Sequence, residues 1–158
     1  MKLSAQEEYG LRCLVSLARQ GEGGTMTIPE ISRAEGLSQS HVAKLLAILR
    51  KAGVISATRG QVGGYRLARP AGQIALRDIL QPLGGTLFGP EFCARHTGLE
   101  ADCVHKTDCA LRPLWTNLEA VVNSVIDRYT LGDLVDGNIE QPLVHLGQVH
   151  DRHHAEAR

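Results

Sequence analysis

Residues 37–68 read LSQSHVAKLLAILRKAGVISATRGQVGGYRLA, and this stretch predicts a helix followed by a β-hairpin. Ser38 is a favourable N-cap, and Gly53 marks the end of the helix. Between them the apolar residues recur at helical spacing, at Val42, Leu45, Leu46 and Leu49. Two strand-like runs, 54–58 and 64–68, then enclose a turn-rich segment, which predicts a hairpin directly after the helix.

Two capping boxes place two further helices before this one. Ser4 is followed three positions later by Glu7, and Thr27 is followed in the same way by Glu30. The second of these helices is short, because Gly36 ends it immediately before the helix that Ser38 caps. Two short helices joined at a glycine and followed by a hairpin indicate a winged helix-turn-helix unit.

The remainder of the chain predicts three more parts. Beyond a DNA-binding domain over 1–83, we expect a cysteine-bearing loop over 84–110, a dimerisation helix over 111–131 and a polar C-terminal tail over 132–158. The helix assignment depends on apolar positions 111, 115, 118, 122, 125 and 129, whose spacing alternates between four and three. That spacing favours a seam between two helices over packing on the helix's own domain. The predicted fold class is mainly α with a small β-hairpin wing.

Composition separates the two halves of the chain. The net charge of the 158 residues is zero, yet residues 1–70 carry 10 Lys and Arg against 5 Asp and Glu, whereas residues 71–158 carry 7 against 12. A basic N-terminal half suits a polyanionic partner such as double-stranded DNA. No apolar run approaches the ~20 residues of a membrane span, so we expect a cytoplasmic protein without a membrane partner.

The candidate DNA-contacting residues lie off the apolar face of the third helix and at the hairpin tip. Hydroxyl, amide and imidazole groups can contact base edges or phosphates, whereas the basic groups neutralise phosphate charge. Arg59, beside glycines that remove side-chain bulk, is the candidate for the minor groove. The full candidate set is Ser38, Gln39, Ser40, His41, Lys44, Arg50, Arg59 and Gly60.

Three of the four cysteines are candidate ligands of a soft metal. Cys93, Cys103 and Cys109 form a C-x(9)-C-x(5)-C pattern in a stretch with no clear period. Disulfides are not expected in a reducing compartment. A fourth ligand could come from His96, His105 or a carboxylate elsewhere, and zinc would also accept three cysteines and a histidine. Cys13, within the apolar run of the first helix, is predicted to be a buried structural thiol.

These residues together resemble the Rrf2 family of winged-helix transcription regulators. The resemblance covers residues 1 to about 130, and it is carried by the start at 1–4, the stretch 37–42 and the run 49–54 that continues into 59–65. It implies a homodimer with crossing long helices and a partly palindromic operator. It also implies a cluster-binding loop between the DNA-binding domain and the dimer helix.

The same resemblance implies a ligand set for an iron–sulfur cluster. Cluster-binding members carry three cysteines in this region, with spacing nearer C-x(5)-C-x(5)-C than the C-x(9)-C-x(5)-C found here. In some relatives the other subunit supplies an acidic ligand from its first helix, and the matching position is Glu8, which ranks above His105 and His96. Helix capping and dipole stabilisation alone would also favour an acid there. We favour a 2Fe–2S over a 4Fe–4S cluster.

The sequence therefore predicts a transcription regulator, expected to be a repressor, whose operator affinity follows the redox, nitrosylation or occupancy state of the cluster. One alternative is a regulator of the same fold that uses its cysteines as a thiol switch or zinc site. Another is a metal or electron-transfer protein that does not bind DNA. An enzyme is not expected, because no pairing of a base with an orienting group surrounds Cys13 or Cys93.

Overall fold

The computed structural model describes residues 4–58, 63–85, 88, 90–105 and 107–139. These residues form helices and one two-stranded antiparallel hairpin. No helix of these residues is both long and apolar enough to cross a membrane. The elements in chain order are α1 (Ala5–Ala18), α2 (Ile28–Glu35), α3 (Gln39–Lys51), β1 (Ile55–Thr58), β2 (Gly64–Leu67), a 3-10 turn (Ala71–Gln73), α4 (Leu76–Gly84), α5 (Pro90–Ala94), α6 (Arg112–Ile126) and α7 (Leu131–Asp136).

The first three helices begin where the capping residues predicted them. Ser4 and Thr27 each form a complete capping box, and the Ser38 hydroxyl accepts a hydrogen bond from the backbone N–H of His41 at 3.3 Å. Gly36 ends α2 in the left-handed region at φ 66°, a conformation that favours glycine. The predicted helix-turn-helix is therefore confirmed, and Gly36 lies at its turn.

One apolar core joins α1, α2, α3, β1 and α4. The predicted stripe of α3 is fully buried in it, and α1 contributes the buried Cys13. The buried apolar side chains are Cys13, Leu14, Leu17, Ile31, Val42, Leu45, Leu46, Leu49, Val54, Ile55, Ile74, Leu76, Ile79, Leu83 and Leu131. Because α3 buries one face only, its other face is exposed to solvent.

The second strand of the wing is attached to the segment before α2. The β1 and β2 strands pair from Ile55 with Leu67 to Thr58 with Gly64. Tyr65 also forms a bridge with Met26, through backbone hydrogen bonds of 2.8 and 2.9 Å. The predicted hairpin is confirmed, whereas its tip, with the candidates Arg59 and Gly60, lies outside the described residues.

After α6 the chain returns to the first domain. The Leu76 N–H donates to the Tyr129 carbonyl at 3.0 Å, and the Leu131 N–H donates to the Ile74 carbonyl at 2.8 Å. Arg77 on α4 adds a two-pronged ion pair with Asp127, directly after α6. The C-terminal end of α6 is therefore fastened to the beginning of α4.

The region expected to be an irregular loop contains a short helix and an aromatic cluster. Helix α5 covers residues 90–94, and Phe92 on it contacts the rings of Phe88, His96 and Trp115. Phe88 in turn stacks on Trp115 at 5.2 Å between ring centroids. The segment predicted as a cysteine-bearing loop over 84–110 therefore contains a short helix at 90–94, which this aromatic packing holds against α6.

The exposed apolar face of α6 is rotated from the predicted seam. Trp115 faces the aromatic cluster and Tyr129 packs against the core, so these two seam positions are turned inward, as is the neighbouring Ile126. The large apolar residues on the exposed side are Leu111, Leu114, Leu118 and Val121. The heptad spacing is kept, with 114 and 121 in place of 115 and 122.

The polar tail begins later than predicted. Thr130 and Asp133 form a third capping box, which opens α7, and Leu131 is fully buried. The expectation of a tail from 132 is therefore wrong for 132–136, where α7 packs on α1 and on the 3-10 turn. Residues 140–158 lie outside the described residues.

Candidate nucleic-acid interface and metal centre

The outward face of α3 carries the DNA-contacting candidates. Ser40, Lys44 and Lys51 are exposed at spacings of four and seven, so they share one side of the helix, opposite its buried stripe. Ala47 lies between Lys44 and Lys51 on the same side and is also exposed. Gln39 is exposed in the first turn. A small residue flanked by hydrogen-bonding and basic groups leaves room for this face to approach a groove.

Two of the candidates have structural partners within the protein. The ring of His41 is half-buried and meets Tyr9 of α1 edge-on, with 5.4 Å between centroids. The Ser38 hydroxyl caps α3 and bonds the Ser40 hydroxyl at 3.2 Å. Packing and capping account for these two positions, whereas the described candidates Gln39, Ser40, Lys44 and Arg50 are exposed.

A polar brace fixes α2 on α1. The Glu35 carboxylate accepts hydrogen bonds from Arg12 Nε at 2.9 Å and from the Ser16 hydroxyl, and Arg12 Nη2 also donates to the Glu35 carbonyl at 2.6 Å. Glu35 is the last residue of α2, immediately before the turn to α3. The brace therefore fixes the C-terminal end of α2, from which the turn leads into α3.

The three candidate cysteine ligands are free thiols, and each is half-buried. Cys93 lies on α5, whereas Cys103 and Cys109 lie between α5 and α6. Within the described residues, no three His, Cys, Asp or Glu side chains lie close enough together to hold a metal ion. The single subunit thus supplies the donors without assembling them.

The candidate fourth ligands differ in their surroundings. Glu8 is exposed in the first turn of α1, and its carboxylate makes no ion pair with a described residue. The His96 ring lies 2.6 Å from the Phe92 carbonyl through Nδ1 and packs on the Phe92 ring. His105 is exposed. Glu8 is therefore available to a partner molecule, whereas His96 already has contacts within its own segment.

Cys13 has the surroundings of an inert thiol. It is completely buried in the core, and burial together with the nearby Glu35 carboxylate raises its pKa to about 11. A thiol with such a pKa is protonated at neutral pH, so it is a poor nucleophile and a poor metal ligand. The structure agrees with the structural role predicted for Cys13.

Sequence reasoning missed three features of this region. The aromatic cluster joins both phenylalanines of the chain with its single tryptophan across a long sequence separation. The brace at Glu35 could not be predicted because its partners Arg12 and Ser16 lie 23 and 19 positions away in the sequence. Only the third, Ala47, had a local signal, since its spacing from Lys44 and Lys51 places it on their side of the helix.

The chain is similar to known transcription regulators over most of its length. A family model described as Rrf2, iron-dependent transcriptional regulator, matches residues 3–137. The structure of CymR (YrzC), the global cysteine regulator of B. subtilis, is 28% identical at a TM-score of 0.68, covering 87% of this chain and 98% of that one. T. potens IscR is 29% identical at a TM-score of 0.69, with coverages of 87% and 88%. The oxidized form of Staphylococcus aureus CymR is 30% identical at a TM-score of 0.66, with coverages of 86% and 97%.

Proposed function

Because the chain belongs to the Rrf2 family of transcriptional regulators, we propose that it binds an operator as a homodimer under the control of an iron–sulfur cluster. Rrf2 regulators bind DNA, typically as dimers, and they are not enzymes, so the prediction that this chain is not an enzyme is confirmed. We expect it to act as a repressor. A regulator of this kind works where the DNA is, which favours a cytoplasmic location.

The exposed face of α3 is the observation that supports DNA reading most directly. It presents Gln39, Ser40 and Lys44 to solvent on a helix whose other side is locked in the core. A rigid helix with such a face fits the major groove, where polar side chains meet base edges and lysines meet phosphates. Arg50 and Lys51 at its end are exposed as well and add phosphate neutralisation.

The exposed apolar face of α6 supports the homodimer. Leu111, Leu114, Leu118 and Val121 follow heptad spacing and are between 43% and 62% exposed, which is unusual for a row of large apolar side chains. Pairing with the same face of a second copy would bury this row. A two-fold dimer presents two copies of α3 and so favours an operator with two related half-sites.

Three free cysteines support the proposal of an iron–sulfur cluster. Cys93, Cys103 and Cys109 are free and half-buried, and thiolates are the ligands that iron–sulfur clusters use. Glu8 of the partner subunit would complete the set, since that position is exposed and without an ion pair among the described residues. A cluster held there would supply a centre sensitive to oxidation or nitrosylation. The segment 93–109 would have to close around it, because the single chain leaves the thiols apart.

A second candidate is a metal-free thiol switch. The separation of the three thiols in the single chain favours it, as does the similarity to a protein described as a global cysteine regulator and to another solved in an oxidized form. Here Cys93, Cys103 and Cys109 would react with oxidants in place of binding iron. Zinc bound by three cysteines and a histidine is a third outcome of the same test.

Metal content and spectroscopy of protein purified without oxygen test the cluster. We expect a coloured protein with iron and acid-labile sulfide, and we expect Cys103→Ser to lose both. Cys13→Ala is the matched control, because this thiol is buried away from the site and should keep the colour. A colourless protein, either with stoichiometric zinc or with no metal and three reactive thiols, would replace the proposal with one of its alternatives.

A salt series of DNA binding tests the reading face. Lys44→Gln should weaken binding and lower the slope of log K against log salt concentration by about one, as expected for one lost phosphate contact. Arg128→Gln removes a positive charge from an exposed position beyond α6 and should leave the slope unchanged. Equal slopes for the wild type and Lys44→Gln would contradict the assignment of α3.

A further inference from the structure

A cleft on the side of the wing has no part in the function proposed above. It has a volume of about 600 Å³ and lies between the base of the wing, the turn after α1, the 3-10 turn and α7. Sites for small molecules usually have volumes of about 300–1,000 Å³. The cleft is therefore large enough for a small metabolite.

Charged groups of both signs line this cleft. Arg66 of β2 and Arg69 just beyond it contribute two guanidinium groups, and Glu22 and Asp136 contribute two carboxylates from the turn after α1 and the end of α7. Neither carboxylate forms a hydrogen bond or an ion pair with another described residue. A site with separate positive and negative groups suits a ligand that carries both charges.

The guanidinium groups are oriented but not saturated. Arg66 Nε donates to the Ser56 hydroxyl at 3.3 Å, and Arg69 Nη2 donates to Asp78 at 3.2 Å. A guanidinium carries five N–H donors, so each keeps donors for a bound carboxylate. The partners hold the two groups in place at the edge of the cleft.

Part of the cleft wall is formed by glycines, which present backbone without side chains. Five of its sixteen lining residues are glycines. At Gly132 an added Cβ would lie 3.0 Å from the backbone of Gly72, so the close approach of α7 to the 3-10 turn leaves little room for a side chain there. At Gly72 an added Cβ would meet open space. Backbone therefore forms part of the cleft wall at these glycines.

We propose that this cleft binds a free amino acid or a zwitterion of similar size, with its carboxylate at Arg66 or Arg69 and its ammonium group at Asp136 or Glu22. Both charges of the ligand then meet a complementary group within one cavity. Occupation would join β2 of the wing to α7. The proposal does not depend on the metal centre or on the operator.

Thermal unfolding of the full-length protein with each of the twenty L-amino acids, one at a time, tests the site. We expect at least one of them to raise Tm by about 3 °C or more at roughly ten times its Kd. Succinate and 1,4-diaminobutane, which each carry charges of one sign, should have no such effect. The proposal is overturned if no amino acid raises Tm or if either control compound raises it as much.

Ligand and protein variants then locate the binding. The methyl ester of the active amino acid lacks the carboxylate charge and should lose the shift. Arg66→Gln and Asp136→Asn should each weaken binding by roughly tenfold, as measured by calorimetry. Arg33→Gln on the exposed side of α2 is the matched control and should bind like the wild type. Unchanged affinity in both cleft variants would place the ligand elsewhere and overturn the proposal.

Discussion

Replacement of Glu35 by alanine tests how α2 of the helix-turn-helix is held on α1. Ser16 is only 8% exposed, and its hydroxyl would lose its hydrogen-bond acceptor. Such a loss costs about 1–3 kcal/mol. The ion pair with Arg12 adds less, about 0–1 kcal/mol, because the Arg12 side chain is 41% exposed and screened by water. We therefore expect Glu35→Ala to lower the free energy of unfolding by about 2–3 kcal/mol.

A change of that size should lower Tm by roughly 5–10 °C in differential scanning calorimetry. Glu100→Ala removes an exposed carboxylate between α5 and α6 and should shift Tm little. A double-mutant cycle with Ser16→Ala should give a coupling energy of about 1–2 kcal/mol, because the hydroxyl and the carboxylate stabilise each other. A cycle without coupling, or an effect of Glu35→Ala no larger than that of the control, would refute the brace.

Three further predictions concern other parts of the chain. Cys13 should stay unreactive toward a thiol reagent at neutral pH until the protein unfolds, while the other three cysteines of the metal-free protein react. Rapid reaction of all four cysteines would contradict the raised pKa of Cys13. The hydrogen bond from Arg77 lowers the pKa of Asp127, so the stability that this pair contributes is present above the ordinary value of 3.8 and is lost as pH falls through the lower folded value. The Tm difference between wild type and Asp127→Asn should therefore shrink below about pH 4, and a constant difference would count against the pair. Leu118→Glu should convert the dimer into monomers in sedimentation experiments, and an unchanged dimer would exclude the exposed face of α6 as the interface.

Much of the DNA-binding fold could be predicted because its signals are local. Ser4, Thr27 and Ser38 begin helices through contacts within one turn, and Gly36 ends one through its own backbone conformation. The buried stripe of α3 follows directly from helical spacing. Such features need no knowledge of the rest of the chain.

The region after α4 was harder to predict because distant residues determine it. Phe88 and Phe92 order their segment by packing on Trp115, and that contact also turns the face of α6 away from the expected seam. Thr130 and Asp133 did form a local signal, but the polar residues after them hid it. Within the described residues no three potential ligands lie close enough together to hold a metal ion, so the spacing of the cysteines alone could not show how the proposed site is assembled.

The affinity of one operator fragment for iron-loaded and iron-stripped protein tests the central proposal most directly. Both preparations should come from one anaerobic batch and be measured at one salt concentration, since salt alone changes DNA affinity. If the cluster controls how the two α3 helices of the dimer bind DNA, the two affinities should differ by at least about tenfold, equivalent to roughly 1.4 kcal/mol. Equal affinities would show that iron does not control DNA binding by this protein.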